Sequence, residues 1–458
     1  MCLTPLCHHS LIGLALCCLA GLMVPAARGS AEPEPTKAEL ARAAAGNAEF
    51  RYRLTTPEEV KALLGAPTEE AWGSDGGMDV LSLAYPGVSA IFSRAKGQVT
   101  LPILSGLTVD DEMVDIGKDR LVVLRDWADL ARLDSFRGLQ NVSLSALDLR
   151  DDGDLLQRMP FGSDTVWPSA DQLPPGFDPQ GLLERGKNPG LGLRGLHAQG
   201  VDGRGVGLAI IDQPLLKDHR EYAARLVAYE EIDVEGAVPQ YHGAAVASMA
   251  VGKTCGVAPQ ASLYYYAIPM WKWRSCEPYR QVLLKILARN ASLPAAERVR
   301  VVSISQGMFP QWEGYAAWQE TVAAARASGV LVVTCDTSVL AYGTLGRAKD
   351  GDPDDPASYS AGRYSSPRDV LRIPAGNRAV ASYVNPEAYS YSKDGGMSLA
   401  APYVAGLAAL AFQLDPTIEP DTIVSLWLQT ATQTDAVSII DPTGFIEAVR
   451  LRTQAEGK

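Results

Sequence analysis

Val206-Gly207-Leu208-Ala209-Ile210-Ile211-Asp212 is the stretch on which the fold turns. An unbroken apolar run ends in one carboxylate. Such a run, bounded by turn residues, reads as a strand buried on both faces. Working outward, the same kind of unit recurs. Ala244 to Val251 reads as a helix, Ser262 to Ala267 as a strand and Tyr279 to Arg289 as a helix. Val299 to Ser305 is a strand, Tyr315 to Ala327 a helix and Val330 to Thr334 a strand. Leu399 to Leu414 is a long apolar helix. Alternating strands and helices predict an α/β fold with a parallel sheet and helices on both faces. Ligands of such sheets bind outside the carboxyl ends of the strands, which draws attention to Asp212.

Two further stretches carry reactive side chains. Tyr241-His242-Gly243-Ala244-Ala245-Val246-Ala247-Ser248 places His242 at the opening of a helix of small residues that can pack close to a sheet. A neutral imidazole there can accept a proton from a hydroxyl. Gly395-Gly396-Met397-Ser398-Leu399-Ala400-Ala401-Pro402 places Ser398 at a helix start, after glycines that permit unusual backbone angles. The unpaired N–H groups of a helix start favour negative charge, which suits a nucleophile whose attack creates an oxyanion. Taken singly, Asp212 also reads as a turn residue, His242 as a buried or capping histidine and Ser398 as a plain cap. Of the other histidines, His197 and His219 read as loop or surface residues, and His8 and His9 fall in the leader.

Together the three are far more specific. From about Leu191 to Val449 the sequence resembles the subtilisin-like serine peptidases, whose chain order is Asp, His, Ser. Asp212 matches their strand-end Asp motif, His242-Gly243 their His-Gly motif and Ser398 their Gly-x-Ser-x-Ala-x-Pro motif. The resemblance implies a subtilisin-like sheet and a catalytic triad of Asp212, His242 and Ser398. It implies hydrolysis of protein or peptide substrates through an acyl-enzyme. Ser303-Ile304-Ser305-Gln306-Gly307 looks like the family's substrate-binding edge strand, which makes Ser305 and Gly307 substrate-binding candidates.

The sequence departs from the family where an oxyanion Asn is usual. The matching stretch is Val333-Thr334-Cys335-Asp336-Thr337-Ser338, without an Asn. An ungapped match makes Ser338 the oxyanion candidate, and a small gap would give Thr337 or Asp336. Loss of one such donor costs about 10²–10³ in turnover. The alternative reading is therefore a weak or inactive binding protein on the same fold. Asp350, Asp352, Asp354 and Asp355 crowd one loop whose carboxylate oxygens suit calcium, which stays an open alternative to a solvated acidic loop, although the spacing is not that of an EF-hand; no His/Cys grouping has zinc spacing. The expectation is that no cofactor is required.

The chain's 458 residues leave room for more than one globular part. The expected division is a signal peptide at 1–31, a small α+β propeptide-like or accessory region at 32–150, a Pro-, Gly- and Asp-rich linker at 151–190 and the peptidase domain at 191–458. The apolar run Leu11 to Val24, followed by small residues, predicts export to the periplasm or beyond. Thr56 to Gly65 is a marked helix with a capping box, and Pro86-Gly87 joins two short strands. Leu139, Val142, Leu144, Leu147 and Leu149 resemble one leucine-rich unit, too little for a solenoid. A net charge of −12 argues against nucleic acid as a partner. No internal stretch reads as a membrane span, and composition carries no signal for oligomeric state. Cys255, Cys276 and Cys335 lie beyond the leader. Cys255 and Cys276 read equally as a disulfide or as small buried hydrophobes.

Overall fold

The structure, a computed structural model, describes residues 35–457 apart from 47–53, 76–77, 96–102, 114–120, 127–129, 131–132, 134–137, 158, 235, 271–273, 295–296, 337–340, 349, 363–370 and 435–436. The expected signal segment and the oxyanion candidates Thr337 and Ser338 lie outside the described residues.

The elements that position the site follow in chain order. They are β1 (Phe161–Gly162), α1 (Pro179–Lys187), β2 (Gly207–Asp212), β3 (Leu226–Glu231), α2 (Tyr241–Val251), β4 (Ser262–Ala267) and α3 (Glu277–Ser292). Next come β5 (Val299–Ile304), α4 (Tyr315–Ala327), β6 (Leu331–Thr334), β7 (Arg378–Ala381), β8 (Tyr389–Ser392) and α5 (Met397–Leu414). Strands β3-β4-β2-β5-β6 form one parallel sheet in that order, with β2 in the middle. A central parallel strand is covered on both faces, and all six residues of β2 are buried.

Side-chain alternation sorts the two layers. Leu208 and Ile210 pack with Tyr265, Val301 and Val333 under α2 and α5. Ala209 and Ile211 pack on the opposite face with Tyr266, Val302, Tyr279 and Trp318, beneath α3 and α4. The fold is thus α/β with a parallel sheet and helices on both faces. Helix α5 is long and apolar enough to cross a membrane by length and composition, contrary to the sequence reading. Its apolarity has another use here, since Leu399 to Phe412 are all buried in the core.

Residues 37–113 build an α+β unit, tied to the following segment through Leu54. Helices Lys37–Gly46 and Pro57–Leu64 cover an antiparallel sheet of five strands from Glu69–Asp75 to Glu112–Met113. Thr56 caps the second helix in the expected capping box, and Gly87 takes a φ of 68° in the turn after Pro86. Leu81, Leu83, Phe92, Leu104 and Leu107 form this unit's own core.

The stretch read as a linker packs closely against the large sheet's domain. Val122–Val123 and Val142–Ser143 pair in parallel, and Val166 bridges to Ser143 as a third rung. Strand β1 pairs antiparallel with β8, putting Phe161 opposite Tyr391. The two rings stack with centroids 4.9 Å apart. Leu182 and Leu183 of α1 join Leu139, Leu144, Phe177, Ala379 and Tyr391 in one core. The leucine-rich unit thus buries its apolar face on β7 and β8, where a solenoid would use another repeat.

Candidate active site

Asp212 ends β2 and has no exposed surface. One oxygen, Oδ1, accepts hydrogen bonds from its neighbour's Gln213 N–H at 2.8 Å and meets His242 Nδ1 at 2.7 Å. His242 lies in the first turn of α2, whose small residues let that helix lie close to the sheet. Burial pulls the imidazole's pKa down, but the charge of Asp212 and its hydrogen bond outweigh this, so His242 stands above the ordinary value of 6.5.

Ser398 is the second residue of α5, two positions further into the helix than the cap residue Gly396. Pro402 sits four residues later and has no N–H to give to the Ser398 carbonyl. Ser305 takes the place of that donor, its hydroxyl bonding the Ser398 carbonyl at 2.8 Å. In return the Ser398 hydroxyl donates to the Ser305 carbonyl at 3.3 Å. Among the described residues no hydrogen bond joins Ser398 Oγ to the His242 ring. Ser305 follows β5, and β5 pairs on both sides, with β2 and β6. The expected edge strand at 303–307 is therefore internal up to Ile304. Beyond it the Gln306 carbonyl is taken by Cys335 N–H at 3.1 Å, and Gly307 lies against the Phe309 ring.

Ile210, Ser303 and Val333 are register partners across β2, β5 and β6. Two residues on, the same alternation brings Asp212, Ser305 and Cys335 to the sheet end beneath Ser398. Burial pushes the Cys335 thiol up to about 12, helped by the charge of Asp212 and opposed by a hydrogen bond from Ser398. The sequence reading missed Cys335 and Ser303; the period-two spacing of Ser303 and Ser305 along β5 was the available signal. Asp336, the third oxyanion candidate, has a carboxylate that accepts from the Thr334 hydroxyl at 2.7 Å and from Met308 N–H at 3.4 Å. Gly395 passes so close to Ala375 that an added Cβ would lie 1.9 Å from its carbonyl oxygen. A cavity of about 850 Å³ opens at the same sheet end, where Ile232 and Asp233 follow β3 and meet Pro278, Val282 and Lys285 of α3.

Other expectations fare differently. His219 is fully buried instead of superficial. Its Nε2 meets the Ala388 carbonyl at 2.8 Å and its Nδ1 accepts from Glu221 N–H at 3.1 Å. His197 is half-buried, with Nε2 on the Val257 carbonyl at 2.8 Å. Cys255 and Cys276 are free and buried. The Cys255 thiol lies on the Glu221 carboxylate, which also binds Thr254 and Tyr389. Within the aspartate cluster, Asp354 accepts from Asn188 and Gly192, far off in sequence, and Asp355 caps Ala357 in its own loop. Among the described residues no group of three or more His, Cys, Asp or Glu side chains is arranged to hold a metal.

Residues 203–395 match the model of the subtilase family, a match that stops just short of Ser398. The subtilisin-like protease PopC of Myxococcus xanthus (strain DK1622) is 30% identical over 273 residues, which are 50% of this chain and 56% of PopC. The chain thus spans little more than half the length of this curated relative. Among solved structures, a protease of Pseudoalteromonas arctica PAMC 21717 is 19% identical with a TM-score of 0.41, covering 59% of this chain and 98% of that one. A chain of the subtilase cytotoxin SubAB assembly is 14% identical with a TM-score of 0.47, covering the same shares, 59% and 98%. With the parallel sheet and the Asp212–His242 contact in place, residues 203–395 of this chain are similar to the subtilase family of serine peptidases.

Proposed function

We propose that the protein is an exported serine endopeptidase that cleaves peptide bonds with Asp212, His242 and Ser398. The observation that carries this reading is the 2.7 Å contact of His242 Nδ1 with a fully buried carboxylate, at the sheet end where α5 presents Ser398. Asp212 fixes the ring so that Nε2 is left to act as the base. Ser398 Oγ turns about Cα–Cβ from the Ser305 carbonyl toward Nε2, gives up its proton and attacks the scissile carbonyl. The imidazolium, stabilised by Asp212, then protonates the leaving amine. Water hydrolyses the acyl-enzyme by the same route in reverse.

The Ser398 N–H, in the first turn of α5, supports the oxyanion, with Ser338 as the second donor. Ser305 and Gly307 bind the substrate's main chain beside Ser398, and the cavity next to α3 receives part of its length. The chemistry needs no cofactor. The leader at 1–31 directs export. Removal of the 37–113 unit would be the maturation step.

A second reading, a weak or inactive binding protein, is favoured by the Ser398 hydroxyl's bond to Ser305 in place of His242. A fluorophosphonate probe separates the two. Labelling of the processed protein that is lost in Ser398→Ala supports the peptidase. Absence of labelling over hours would sink it.

A further inference from the structure

Asp212 has two oxygens, and only Oδ1 has a hydrogen-bond partner. Oδ2 is buried and unpartnered. Such an orphan destabilises the fold, the more so when charged, unless a donor reaches it. A donor in the same condition lies on the neighbouring strand. Ser303 is 1% exposed, and its hydroxyl is likewise buried without a partner. Ser303 stands opposite Ile210 in the β2–β5 register, so Asp212 is its diagonal neighbour. Residues 210 and 212 share a face of β2, the face under α2 and α5.

Diagonal neighbours in a sheet lie about 7–8 Å apart at Cα. Two short side chains leave a gap there too wide for a direct hydrogen bond and suited to one water molecule with two polar partners. The rival donor is Tyr279, whose hydroxyl is also buried without a partner. It belongs to the opposite layer with Ile211 and Ile304. Tyr265 shares the face of Asp212, but its hydroxyl is spent on the Gln213 carbonyl.

We propose that Ser303 is a positioning residue of the active site: through one internal water its hydroxyl holds Oδ2 of Asp212, keeping the carboxylate turned toward His242. The proposal rests on the reading of Asp212 and His242 as catalytic partners. The bridge draws negative charge toward Oδ2 and away from Nδ1–H. Without it more of that charge faces the ring, and the imidazolium is favoured.

The test is the titration of His242 by ¹⁵N histidine NMR in the full chain. The groups facing Asp212 from β4, α3 and β6 are Tyr265, Tyr279 and Cys335, all held neutral by burial through the neutral range. His242 therefore titrates alone there. Ser303→Ala is expected to raise the His242 protonation constant about threefold to tenfold, the scale of one ordinary hydrogen bond. Ser303→Thr, which keeps the hydroxyl, is expected to restore the wild-type curve, and in an Asp212→Asn background Ser303→Ala should do nothing. Superimposable curves for wild type and Ser303→Ala would overturn the proposal. Should Ser303→Ala not fold, Ser303→Cys is judged by the same criterion, its weaker donor giving a smaller rise. Probe labelling of the wild type is scored separately. A labelled wild type with no shift defeats the bridge alone, and an unlabelled wild type with a shift defeats only the peptidase reading.

Discussion

At the scale of single residues, Asp212 does most to decide what His242 can do. Asp212→Asn keeps the shape but favours the wrong tautomer, and is expected to lower kcat on a peptide substrate by about 10⁴. His242→Ala should abolish acylation with the melting temperature little changed. Full proteolysis in either mutant would refute the assigned roles. The pH profile has a definite sign. A base must be neutral to act, and the pKa of His242 is raised above 6.5. Activity is therefore lost as pH falls, with the midpoint of kcat/KM above 6.5. Asp212→Asn should move that midpoint down. These residues were legible because each lies in a short motif set by local structure: a strand end, a helix start, a glycine turn. The bond between Ser398 and Ser305 was not, since it needs the register of β5 under α5.

At the scale of elements, α5 and the loop before it control how Ser398 is presented. Pro402 denies the Ser398 carbonyl its helical partner, and Ser305 fills the vacancy. Pro402→Ala restores the competing N–H. The expected result is a gain in unfolding free energy of up to the ~3 kcal/mol that an interior proline costs a helix, together with slower probe labelling. A gain in stability with unchanged labelling would show that Ser305 does not tune the nucleophile. Gly395→Ala puts a methyl against the Ala375 carbonyl and must move the loop. It is expected to slow labelling at least tenfold and to destabilise by about 1–3 kcal/mol, read by denaturant unfolding. The sequence located α5 by its apolar run, yet that run also has the composition of a membrane span. Composition alone does not say whether lipid or protein covers a helix.

At the scale of the whole molecule, the apolar cores divide the chain differently from the sequence reading. Most of the described core residues at 37–113 pack only among themselves, and Leu54 is the tie to the segment that follows. Those from Val122 to Leu183 share theirs with Ala379, Tyr389 and Tyr391. Deletion through residue 120 is thus expected to leave the sheet's domain soluble and cooperatively folded. Deletion through 190 removes β1 from β8 and uncovers Tyr391, and is expected to give aggregation or a lower melting temperature. Equal stability of the two truncations would contradict this division. Prolines and glycines made 151–190 look like a tether because its partners lie far off in sequence. Ser390, for example, bonds Gln140, 250 positions away. Arg378 adds another such tie, fully buried with its Nε on the Gly186 carbonyl of α1 and Nη2 on that of Cys255. The pairing of β1 with β8 also sets a timetable for synthesis. Phe161 leaves the ribosome more than two hundred residues before Tyr391, so β1 has no strand partner until the chain is almost finished. Contacts this remote slow folding, and at about 5–20 residues per second the wait lasts ten seconds or more. For that long, whatever has folded upstream, the edge of β1 lacks the strand that finally covers it.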